Sequence, residues 1–560
     1  MGRKPSVARR GLTDRDVALE KLAASGTEPL DVLVVGGGIT GAGIALDAAA
    51  RGMRTGLVER FDFASGTSSR SSKLVHGGLR YLEQREFSLV REASMERDLL
   101  GRLAPHLVEP IPFVIPVSNR WSRAMFGVGL WTYDALASFK NIKVHRYLDT
   151  EETEQLVPAL PTGKMQGGFL FYDSRTNDVR LVMEVLIQAR RHAADIANYA
   201  RVVDISPSSE ICSVTVENSL TAELFEIKAR RVVVAAGVWT DRLESLTGEA
   251  EAARLRPSKG IHLVFDNRSI PLAGAAAFIP DAERRRMLFV IPWQDSVLVG
   301  TTDTIYEGDL DYPTVEESDR RYCLDAVNSA FDLTLTDDDV VGAFAGLRPL
   351  IAGKAGATAD LSRRHAIYEL GTGVVGITGG KLTTFRRMAV DVVDRVASDL
   401  GATKKSRTRH IKLGSSNVVA LHSAVERRAE RIGLSSSTVG HLIHNFGDRT
   451  LDVLDIAEQT GAVDALSPGA APIAAEAIYC ARHEMVQHLG DLLSRRTRLA
   501  LTNSDAGVGP GSVAAGVLAS EFRWSNRLRK GEIENYRREV ETERGMGLAS
   551  SRRAAAARVG

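Results

Sequence analysis

Short apolar runs alternate with amphipathic stretches up to residue 402, and only amphipathic stretches follow. Residues 31–35 are almost entirely apolar, which predicts a strand buried on both faces of a parallel sheet. Residues 40–51 have a helical pattern and 55–58 are apolar again, so a strand–helix–strand unit is predicted. Further strands are predicted within 201–234, 254–303, 340–349 and 374–377, and helices at 83–103, 181–194, 417–432, 436–446, 450–460, 471–499 and 511–529.

A glycine-rich turn separates the first strand from the first helix. Gly36, Gly38 and Gly41 have G-x-G-x-x-G spacing, and Glu59 ends the next strand. The glycines allow a tight turn, approach of the backbone to a pyrophosphate, and close packing of the helix on the strand. The helix N-terminus favours phosphate, and the acid accepts hydrogen bonds from ribose hydroxyls. FAD or NAD is therefore expected rather than NADP.

The polar segment at 67–81 reads TSSRSSKLVHGGLRY. Its serines and threonines predict a loop that offers hydroxyls and amides to a phosphate or to a flavin edge. A strand, a glycine pair and a helix start recur at 374–384, which places a second anion-binding helix N-terminus near the same ligand. The hydroxyls and the HGG turn favour FAD over NAD.

The order of the predicted elements indicates an α/β fold with about three domains in 560 residues. A Rossmann-like FAD-binding domain is expected to carry an inserted antiparallel-sheet substrate domain and to be followed by an all-α C-terminal domain. The predicted FAD-binding domain comprises 30–105, 165–250 and 340–402, and the substrate domain comprises 106–164 and 251–339. The helical domain is predicted at 403–530, with a tail at 1–29 and a charged tail at 531–560.

Composition excludes some classes of protein. The chain is 44% hydrophobic and 25% charged with a formal net charge of +1, so no global field attracts nucleic acid. The three cysteines lack metal-ligand spacing, which predicts buried free thiols in a reducing compartment and no metal site. The sequence lacks an apolar run of transmembrane length, and its basic N-terminus lacks the apolar region of a signal peptide. We expect a cytoplasmic protein, with attachment to the inner face of the membrane left open.

Several sequence blocks together resemble the FAD-dependent glycerol-3-phosphate dehydrogenases. They occur in the family's order between residues 31 and 390, and 405–530 is similar to the family's helical C-terminal domain, including LLSRRTRL. The resemblance implies oxidation of sn-glycerol 3-phosphate to dihydroxyacetone phosphate by hydride transfer to FAD. The blocks are VVGGGITGAGIALDAAARG, TSSRSSKLVHGGLRYLE, FYDSRTNDVRLV, VVAAGVWTD, VIPWQDSVLVGTTD, AGLRPL and GITGGKLTTFRRMA.

The resemblance also implies how FAD is held. The pyrophosphate would lie at the first glycine turn, the ribose on Glu59, and the flavin between the loop 68–76 and the helix start 379–383. Lys381 or nearby amides would stabilise the reduced flavin. The residues expected at the cofactor are Gly36, Gly38, Ile39, Thr40, Gly41, Glu59, Arg60, Thr67, Ser68, Ser72, Lys73, Leu74, His76, Gly77, Ala236, Gly237, Gly379, Gly380, Lys381, Leu382 and Thr383.

The implied substrate is a small phosphate monoester that carries a secondary alcohol. Its phosphate needs cations, and the family's positions correspond to Arg80, Arg348 and Arg363. The planar guanidinium of arginine matches phosphate oxygens better than an ammonium group does. The other residues expected to bind substrate are Tyr81, Thr302 and Lys381.

The reaction also needs a general base within hydrogen-bond reach of the substrate hydroxyl. His76 belongs to the HGGLRY block and His262 stands at a predicted strand start, so both are candidates and the choice is left open. The residues expected to be catalytic are His76, Arg80, His262, Arg348 and Lys381.

The electron acceptor is not decided by these residues. The family implies a membrane quinone in the dehydrogenases and oxygen in the related oxidases, and the lack of the oxidases' long insertion favours a quinone. Another FAD-dependent amine or amino-acid oxidoreductase of this fold is one alternative, and a non-catalytic FAD-binding protein is a second. The expected partners are a small phosphate ester and a membrane quinone, with no nucleic acid and with a homodimer left open.

Overall fold

The structure is a computed structural model that describes most of the chain. It covers residues 12, 14–82, 86–136, 142–161, 163, 165–248, 255–281, 283, 286–351, 365–415, 417–509 and 511–548, apart from the side chain of Arg80. Two residues predicted to bind the substrate phosphate are affected: Arg363 and the side chain of Arg80 lie outside the described residues.

Strands and helices alternate in the first part of the described chain, and helices alone make up the last part. The strands are β1 (Leu30–Val35), β2 (Thr55–Val58), β3 (Leu74–Val75), β4 (Glu109–Pro116), β5 (Arg146–Leu148), β6 (Gly168–Arg175), β7 (Asp195–Ala197), β8 (Ala200–Ser206), β9 (Cys212–Asn218), β10 (Glu223–Val234), β11 (Ser258–Asp266), β12 (Ala276–Pro280), β13 (Met287–Trp293), β14 (Ser296–Gly300), β15 (Thr304–Ile305), β16 (Val340–Arg348), β17 (Ala366–Glu369) and β18 (Val374–Thr378). The helices are α1 (Arg15–Ala23), α2 (Ile39–Ala50), α3 (Phe87–Leu103), α4 (Arg120–Leu136), α5 (Thr150–Leu156), α6 (Asp178–Arg191), α7 (Thr240–Glu244), α8 (Glu317–Phe331), α9 (Phe385–Asp399), α10 (Val418–Arg431), α11 (Ser436–Phe446), α12 (Thr450–Thr460), α13 (Ala474–His483), α14 (Leu499–Thr502), α15 (Val513–Glu521) and α16 (Asn526–Arg544).

The first sheet is built on the predicted strand–helix–strand unit. Its order is β17-β18-β10-β1-β2-β7, and the strands from β18 to β7 are parallel. β8 and β9 extend β10 as antiparallel strands. α2 packs against α6 and α9. Every residue of β1 except Asp31 is buried, which explains its nearly uninterrupted apolar run. The predicted Rossmann-like unit is confirmed.

The remaining described strands form the second sheet. Its order is β15-β11-β14-β13-β12-β4-β6-β3, with β16 paired to β11 and β5 paired to β6. Every pair is antiparallel except β4 with β12. The expected antiparallel sheet is therefore present, with one parallel pair inside it.

Three strands from the ranges predicted for the FAD-binding domain lie in the second sheet. They are β3, β6 and β16. β16 pairs with β11 along most of its length, and β6 pairs with β4. An apolar run identifies a strand without identifying its neighbour, because the partner is set by pairing over a long sequence separation.

The C-terminal helices have a hydrophobic core of their own, as predicted, but 471–499 is not one helix. α13 ends at His483, and a π-helical segment (Asp491–Arg496) and α14 follow. Glu484 lies at the break, buried, and accepts hydrogen bonds from Arg180 of α6 at 2.7 and 2.9 Å. A buried carboxylate is costly unless it is paired with a cation. The ion pair between Glu484 and Arg180 therefore outweighs the hydrogen bonds that a continuous helix would add.

The predicted charged tail begins with a packed helix. α16 extends to Arg544 and contacts β16. The buried guanidinium of Arg544 donates to the carbonyl oxygens of Ala500 and Asn503 at 2.6 and 2.8 Å. The guanidinium of Arg544 is therefore hydrogen-bonded inside the fold and does not lie in solvent. Among the described residues, no helix is long and apolar enough to cross a bilayer.

Candidate active site

A cavity of about 530 Å³ opens where the two sheets meet, a volume typical of small-molecule and cofactor sites. On one side it reaches Val35 and Val58 at the carboxyl ends of β1 and β2, and on the other it reaches Arg348 at the end of β16. Ligands of open parallel sheets bind outside the carboxyl ends of the strands. The cavity is therefore placed where the sequence predicts the cofactor.

The glycine turn shapes the first end of this cavity. Gly36 has a φ of +116°, which other residues rarely adopt, and a Cβ there would press on the backbone of Ala235. A Cβ at Gly41 would overlap the carbonyl oxygen of Gly36, so α2 packs directly on β1. Gly41 therefore acts through packing and does not line the cavity, whereas Gly36 and Gly38 do.

Glu59 lies at the end of β2 and lines the same part of the cavity. Its carboxylate accepts hydrogen bonds from the backbone N–H groups of Gly37 at 2.6 Å and Phe61 at 2.9 Å. Burial raises the pKa of Glu59, although both backbone hydrogen bonds oppose that shift. The acid is thus oriented by backbone contacts beside the glycine turn.

The predicted serine- and threonine-rich loop forms the middle of the wall. Ser68 Oγ accepts a hydrogen bond from the N–H of Ile39 at 2.9 Å, so the loop contacts the first turn of α2. Thr67 Oγ1 donates to the carbonyl oxygen of Leu347 at 2.6 Å and so links the loop to β16. The predicted cofactor residues that line the cavity are Gly36, Gly38, Ile39, Thr40, Glu59, Arg60, Thr67, Ser68, Ser72, Leu74, His76, Ala236, Gly237, Gly379, Gly380, Lys381, Leu382 and Thr383.

Lys73 and Gly77 were expected at the cofactor but do not line the cavity. The buried Lys73 Nζ donates to the carbonyl oxygen of Ser69 at 2.6 Å and to Asp178 at 2.7 Å. Burial and the neighbouring Arg498 lower the pKa of Lys73 to about 7. The N–H of Gly77 donates to Asp173 at 2.9 Å. Lys73 and Gly77 therefore support the loop through contacts that do not face the cavity.

Arg348 lines the other end of the cavity. Its Nη2 donates to Thr301 Oγ1 at 3.0 Å, and its Nη1 pairs with Asp303 at 3.2 Å. Thr302 was expected at the substrate, but its hydroxyl accepts from the N–H of Ile261 at 3.1 Å and it does not line the cavity. Thr301 and Asp303 line it instead, because consecutive side chains of an extended segment point to opposite sides.

His76, Tyr81 and Lys381 line the same end of the cavity. Lys381 Nζ lies 3.4 Å from the centre of the Tyr81 ring, a cation–π contact. The backbone N–H of His76 donates to Thr383 Oγ1 at 3.1 Å. The HGGLRY block and the second glycine-rich helix start are therefore neighbours in space.

His262 also lines this end and is buried. Its Nε2 lies 2.9 Å from Ser72 Oγ, and its ring stacks on Phe344 with 4.9 Å between the ring centres. Burial, together with the charges of Lys73 and Arg348, lowers the pKa of His262 to about 3. The imidazole is thus neutral at physiological pH, with Nδ1 making no hydrogen bond to the described residues.

Several cavity residues were not predicted from the sequence. Trp239 and Arg242 follow the end of β10 and line the nucleotide side, and Arg70 lines the loop side. Trp239 stands in the VVAAGVWTD block, so its place after a buried strand was a signal that could have been used. The remaining unpredicted lining residues include Ser65, Gly66, Ser71, Leu79, Asp173, Leu243, Leu246, Gly260, Phe278, Phe289 and Thr301.

The described residues fit FAD. Gly38 is the N-cap of α2 and lines the cavity together with Ile39 and Thr40, so the start of the helix faces the cavity as a phosphate site requires. A second helix start, at 379–383, also opens onto the cavity. Together with the acid at the end of β2, these features define a dinucleotide-binding protein with an extended cofactor site.

Comparisons with known proteins identify the family. A family model described as FAD dependent oxidoreductase matches residues 31–386, and one described as the C-terminal domain of alpha-glycerophosphate oxidase matches 406–529. The chain belongs to the FAD-dependent oxidoreductases and, within them, to the family of the glycerol-3-phosphate dehydrogenases. FAD is therefore its cofactor.

Three relatives illustrate the extent of the similarity. Glycerol-3-phosphate dehydrogenase 2 of Mycobacterium tuberculosis is 39% identical over 95% of this chain and 91% of its own length. Aerobic glycerol-3-phosphate dehydrogenase of Staphylococcus haemolyticus is 36% identical over 84% and 87%. The structure of the Bacillus halodurans glycerol-3-phosphate dehydrogenase complexed with FAD has a TM-score of 0.78 and 31% identity, and covers 94% of this chain and 97% of that one.

Proposed function

We propose that this chain oxidises sn-glycerol 3-phosphate to dihydroxyacetone phosphate and passes the electrons to a membrane quinone. The observation that carries the substrate proposal is the position of Arg348, which lies in the wall of the FAD cavity opposite the nucleotide turn. A guanidinium in that place suits a phosphate oxygen. The names of the relatives support the same substrate.

Arg348 and Lys381 bind and orient the substrate in this proposal. Arg348 is fixed by Thr301 and Asp303, so its charge is held in one place when the phosphate arrives. Lys381 lines the cavity near Tyr81 and holds a substrate oxygen. Arg80 and Arg363 are proposed as further phosphate ligands on their sequence positions alone. FAD, when bound, supplies the acceptor for the hydride that leaves C2 of the substrate.

His262 accepts the hydroxyl proton in this proposal, and His76 is the second candidate. The His262 imidazole is neutral and lies in the cavity wall, and the Ser72 hydroxyl fixes its Nε2. Burial and the cations Lys73 and Arg348 lower its pKa, and the negative charges of the substrate phosphate would offset the effect of the cations. Loss of the hydroxyl proton and of the C2 hydride converts the alcohol into a ketone.

Anaerobic mixing of the FAD-loaded protein with glycerol 3-phosphate tests the proposal. Loss of the oxidised flavin absorption is expected with glycerol 3-phosphate and not with glycerol, which lacks the phosphate. Proline and glycine test the amino-acid alternative. Bleaching of the flavin by either amino acid, without bleaching by glycerol 3-phosphate, would rule out the proposed substrate. Adding a short-chain ubiquinone or oxygen to the reduced protein then compares the two acceptors. Rapid recovery of the absorption with oxygen alone would favour an oxidase.

The surface of α4 supports the membrane acceptor. Trp121, Met125, Val128 and Trp131 recur at intervals of three or four residues and are 75%, 49%, 69% and 59% exposed, so they form one apolar face. The opposite face of α4 packs against the turn Leu79–Leu82, which borders the cavity. An exposed apolar stripe of this kind, with tryptophan at both ends, is typical of a helix that lies in a bilayer interface.

The charges around this face favour an anionic lipid surface. Arg120, Arg123 and Lys143 are exposed beside it, and the Arg123 guanidinium lies 3.7 Å from the centre of the Tyr147 ring. Val144, which is 47% exposed, precedes His145, whose ring contacts Trp131. Basic residues next to an apolar face attract acidic headgroups, while the tryptophans enter the interface.

Replacing Trp121 and Trp131 by serine is expected to reduce binding to vesicles of phosphatidylglycerol and phosphatidylcholine at least tenfold, because two large apolar side chains no longer enter the lipid. Co-sedimentation measures this binding. Turnover with a water-soluble dye as acceptor should stay unchanged. Val419→Ser, which removes a 79% exposed apolar side chain from α10, is the matched control. Equal vesicle binding by the double variant and by the wild type would remove α4 from the membrane surface.

A further inference from the structure

The segment between β15 and α8, here called the strap (residues 306–316), crosses from the second sheet towards the nucleotide side of the cavity. One end is fastened by Tyr306, whose N–H donates to the carbonyl oxygen of Pro257 at 3.0 Å. The other end is fastened by Val315, whose N–H donates to the carbonyl oxygen of Glu543 in α16 at 3.1 Å. The strap is thus anchored at both ends to elements outside the first sheet.

The middle of the strap is a compact turn. Asp309 accepts a hydrogen bond from the N–H of Asp311 at 2.9 Å on its carboxylate and one from the hydroxyl of Tyr306 at 2.9 Å on its carbonyl oxygen. The first contact binds the Asp311 backbone to Asp309, and the second binds Asp309 to Tyr306. The Asp311 side chain therefore projects from a structured turn, and its direction is set before any ligand binds.

The Asp311 carboxylate contacts three donors of the nucleotide side. It pairs with the guanidinium of Arg60, accepts from Trp239 Nε1 at 2.5 Å, and lies 3.4 Å from Arg242 Nη1. Arg60, Trp239 and Arg242 all line the cavity. Arg60 directly follows Glu59, and the other two follow the end of β10, so Asp311 joins two strand ends of the first sheet to the strap.

Through Trp239, the contact made by Asp311 reaches the wall of the cofactor cavity. The Arg60 guanidinium lies 4.8 Å from the centre of the Trp239 ring and 4.2 Å from that of Phe61. A Cβ added at Gly66 would meet the Trp239 ring at 2.8 Å, so the indole rests on the start of the loop 66–72. The Asp311 carboxylate therefore positions the Trp239 indole and the Arg60 guanidinium in the part of the cavity wall between the glycine turn and that loop.

We propose that Asp311 is a positioning residue that latches the FAD cavity and sets the rate at which FAD leaves it. Without its carboxylate, Arg60 and Arg242 lose their shared counter-charge and Trp239 loses its hydrogen-bond acceptor. Two like charges next to each other then repel, and the indole is no longer fixed against the loop. At this point the strap is joined to the first sheet by charge and hydrogen bonding.

Asp311→Ala is expected to raise the rate of FAD release about tenfold, because a charge-assisted hydrogen-bond cluster is lost. Dilution of the FAD-loaded protein and the rise of free-flavin fluorescence measure that rate. Glu307→Gln removes a negative charge from the same strap and is the matched control, with release at the wild-type rate. A release rate for Asp311→Ala equal to that of Glu307→Gln would overturn the proposal.

Two further measurements separate a latch from a general loss of stability. Asp311→Ala should lower the melting temperature of the FAD-loaded protein more than that of the FAD-free protein, and a drop of equal size in both states would make Asp311 merely structural. Trp239→Phe keeps the ring but removes its N–H, and it should also speed release. The double variant should then release FAD no faster than Asp311→Ala alone, because both changes act through one contact. Fully additive effects would contradict the latch. The release assay needs no substrate, so its outcome is independent of the proposed reaction.

Discussion

Replacing Arg348 with alanine is expected to lower kcat/KM for glycerol 3-phosphate by roughly a thousandfold, because about 4 kcal/mol of charge-assisted hydrogen bonding to the phosphate is lost. The visible spectrum of bound FAD should stay unchanged, since Arg348 lies at the end of β16 and away from the glycine turn. Steady-state kinetics with a water-soluble dye measure the first effect, and absorption spectra measure the second.

Two further variants make the Arg348 prediction specific. Arg348→Lys keeps the charge but not the planar fork, so an intermediate loss is expected. Arg321→Ala removes a 70% exposed arginine of α8 that pairs with Glu317, and its kinetics should stay within about twofold of the wild type. Normal turnover by Arg348→Ala would remove this residue from the substrate site.

Gly41→Val is expected to abolish FAD binding, so that the purified protein is colourless. The new Cβ would overlap the carbonyl oxygen of Gly36, which forces α2 away from β1. The start of α2 then no longer faces the cavity correctly, and the phosphate site is lost. The ratio of flavin to protein absorbance after purification in the presence of FAD measures the effect.

A second glycine of the chain provides the control for this prediction. Gly101 lies within α3, and a Cβ added there meets no atom within 4 Å. Gly101→Ala should keep FAD and gain about 0.5–1 kcal/mol of stability, because alanine restricts the unfolded chain and favours a helix. A yellow Gly41→Val protein with wild-type affinity for FAD would show that close packing of α2 is not needed.

The nucleotide unit was predicted almost residue by residue. The predicted strand, helix and strand at 31–35, 40–51 and 55–58 correspond to β1, α2 and β2, which start and end within one residue of those bounds. These elements depend on local signals, namely apolar runs, helical periodicity and a glycine turn. For the same reason, most of the expected cofactor residues lie in the cavity wall.

Single side chains inside a correctly predicted segment were harder to place. Lys73 lies in the predicted loop, yet its positive φ of 58° belongs to a turn that directs Nζ to the buried Asp178. Thr302 lies between Thr301 and Asp303, and it is these two neighbours that line the cavity. The direction of a side chain depends on backbone geometry at one residue, which a sequence block does not specify.

The FAD fold, the glycine turn, the acid at the end of β2 and the family could all be predicted from the sequence, because the signal for each is carried within short sequence blocks. The tertiary structure alone decided that β6 and β16 join the second sheet, that α16 packs on β16, and that Asp311 reaches Arg60 and Trp239. These contacts join residues far apart in sequence. Their formation depends on strand pairing and on the burial of charges against specific partners, for which a single sequence has no periodic signal.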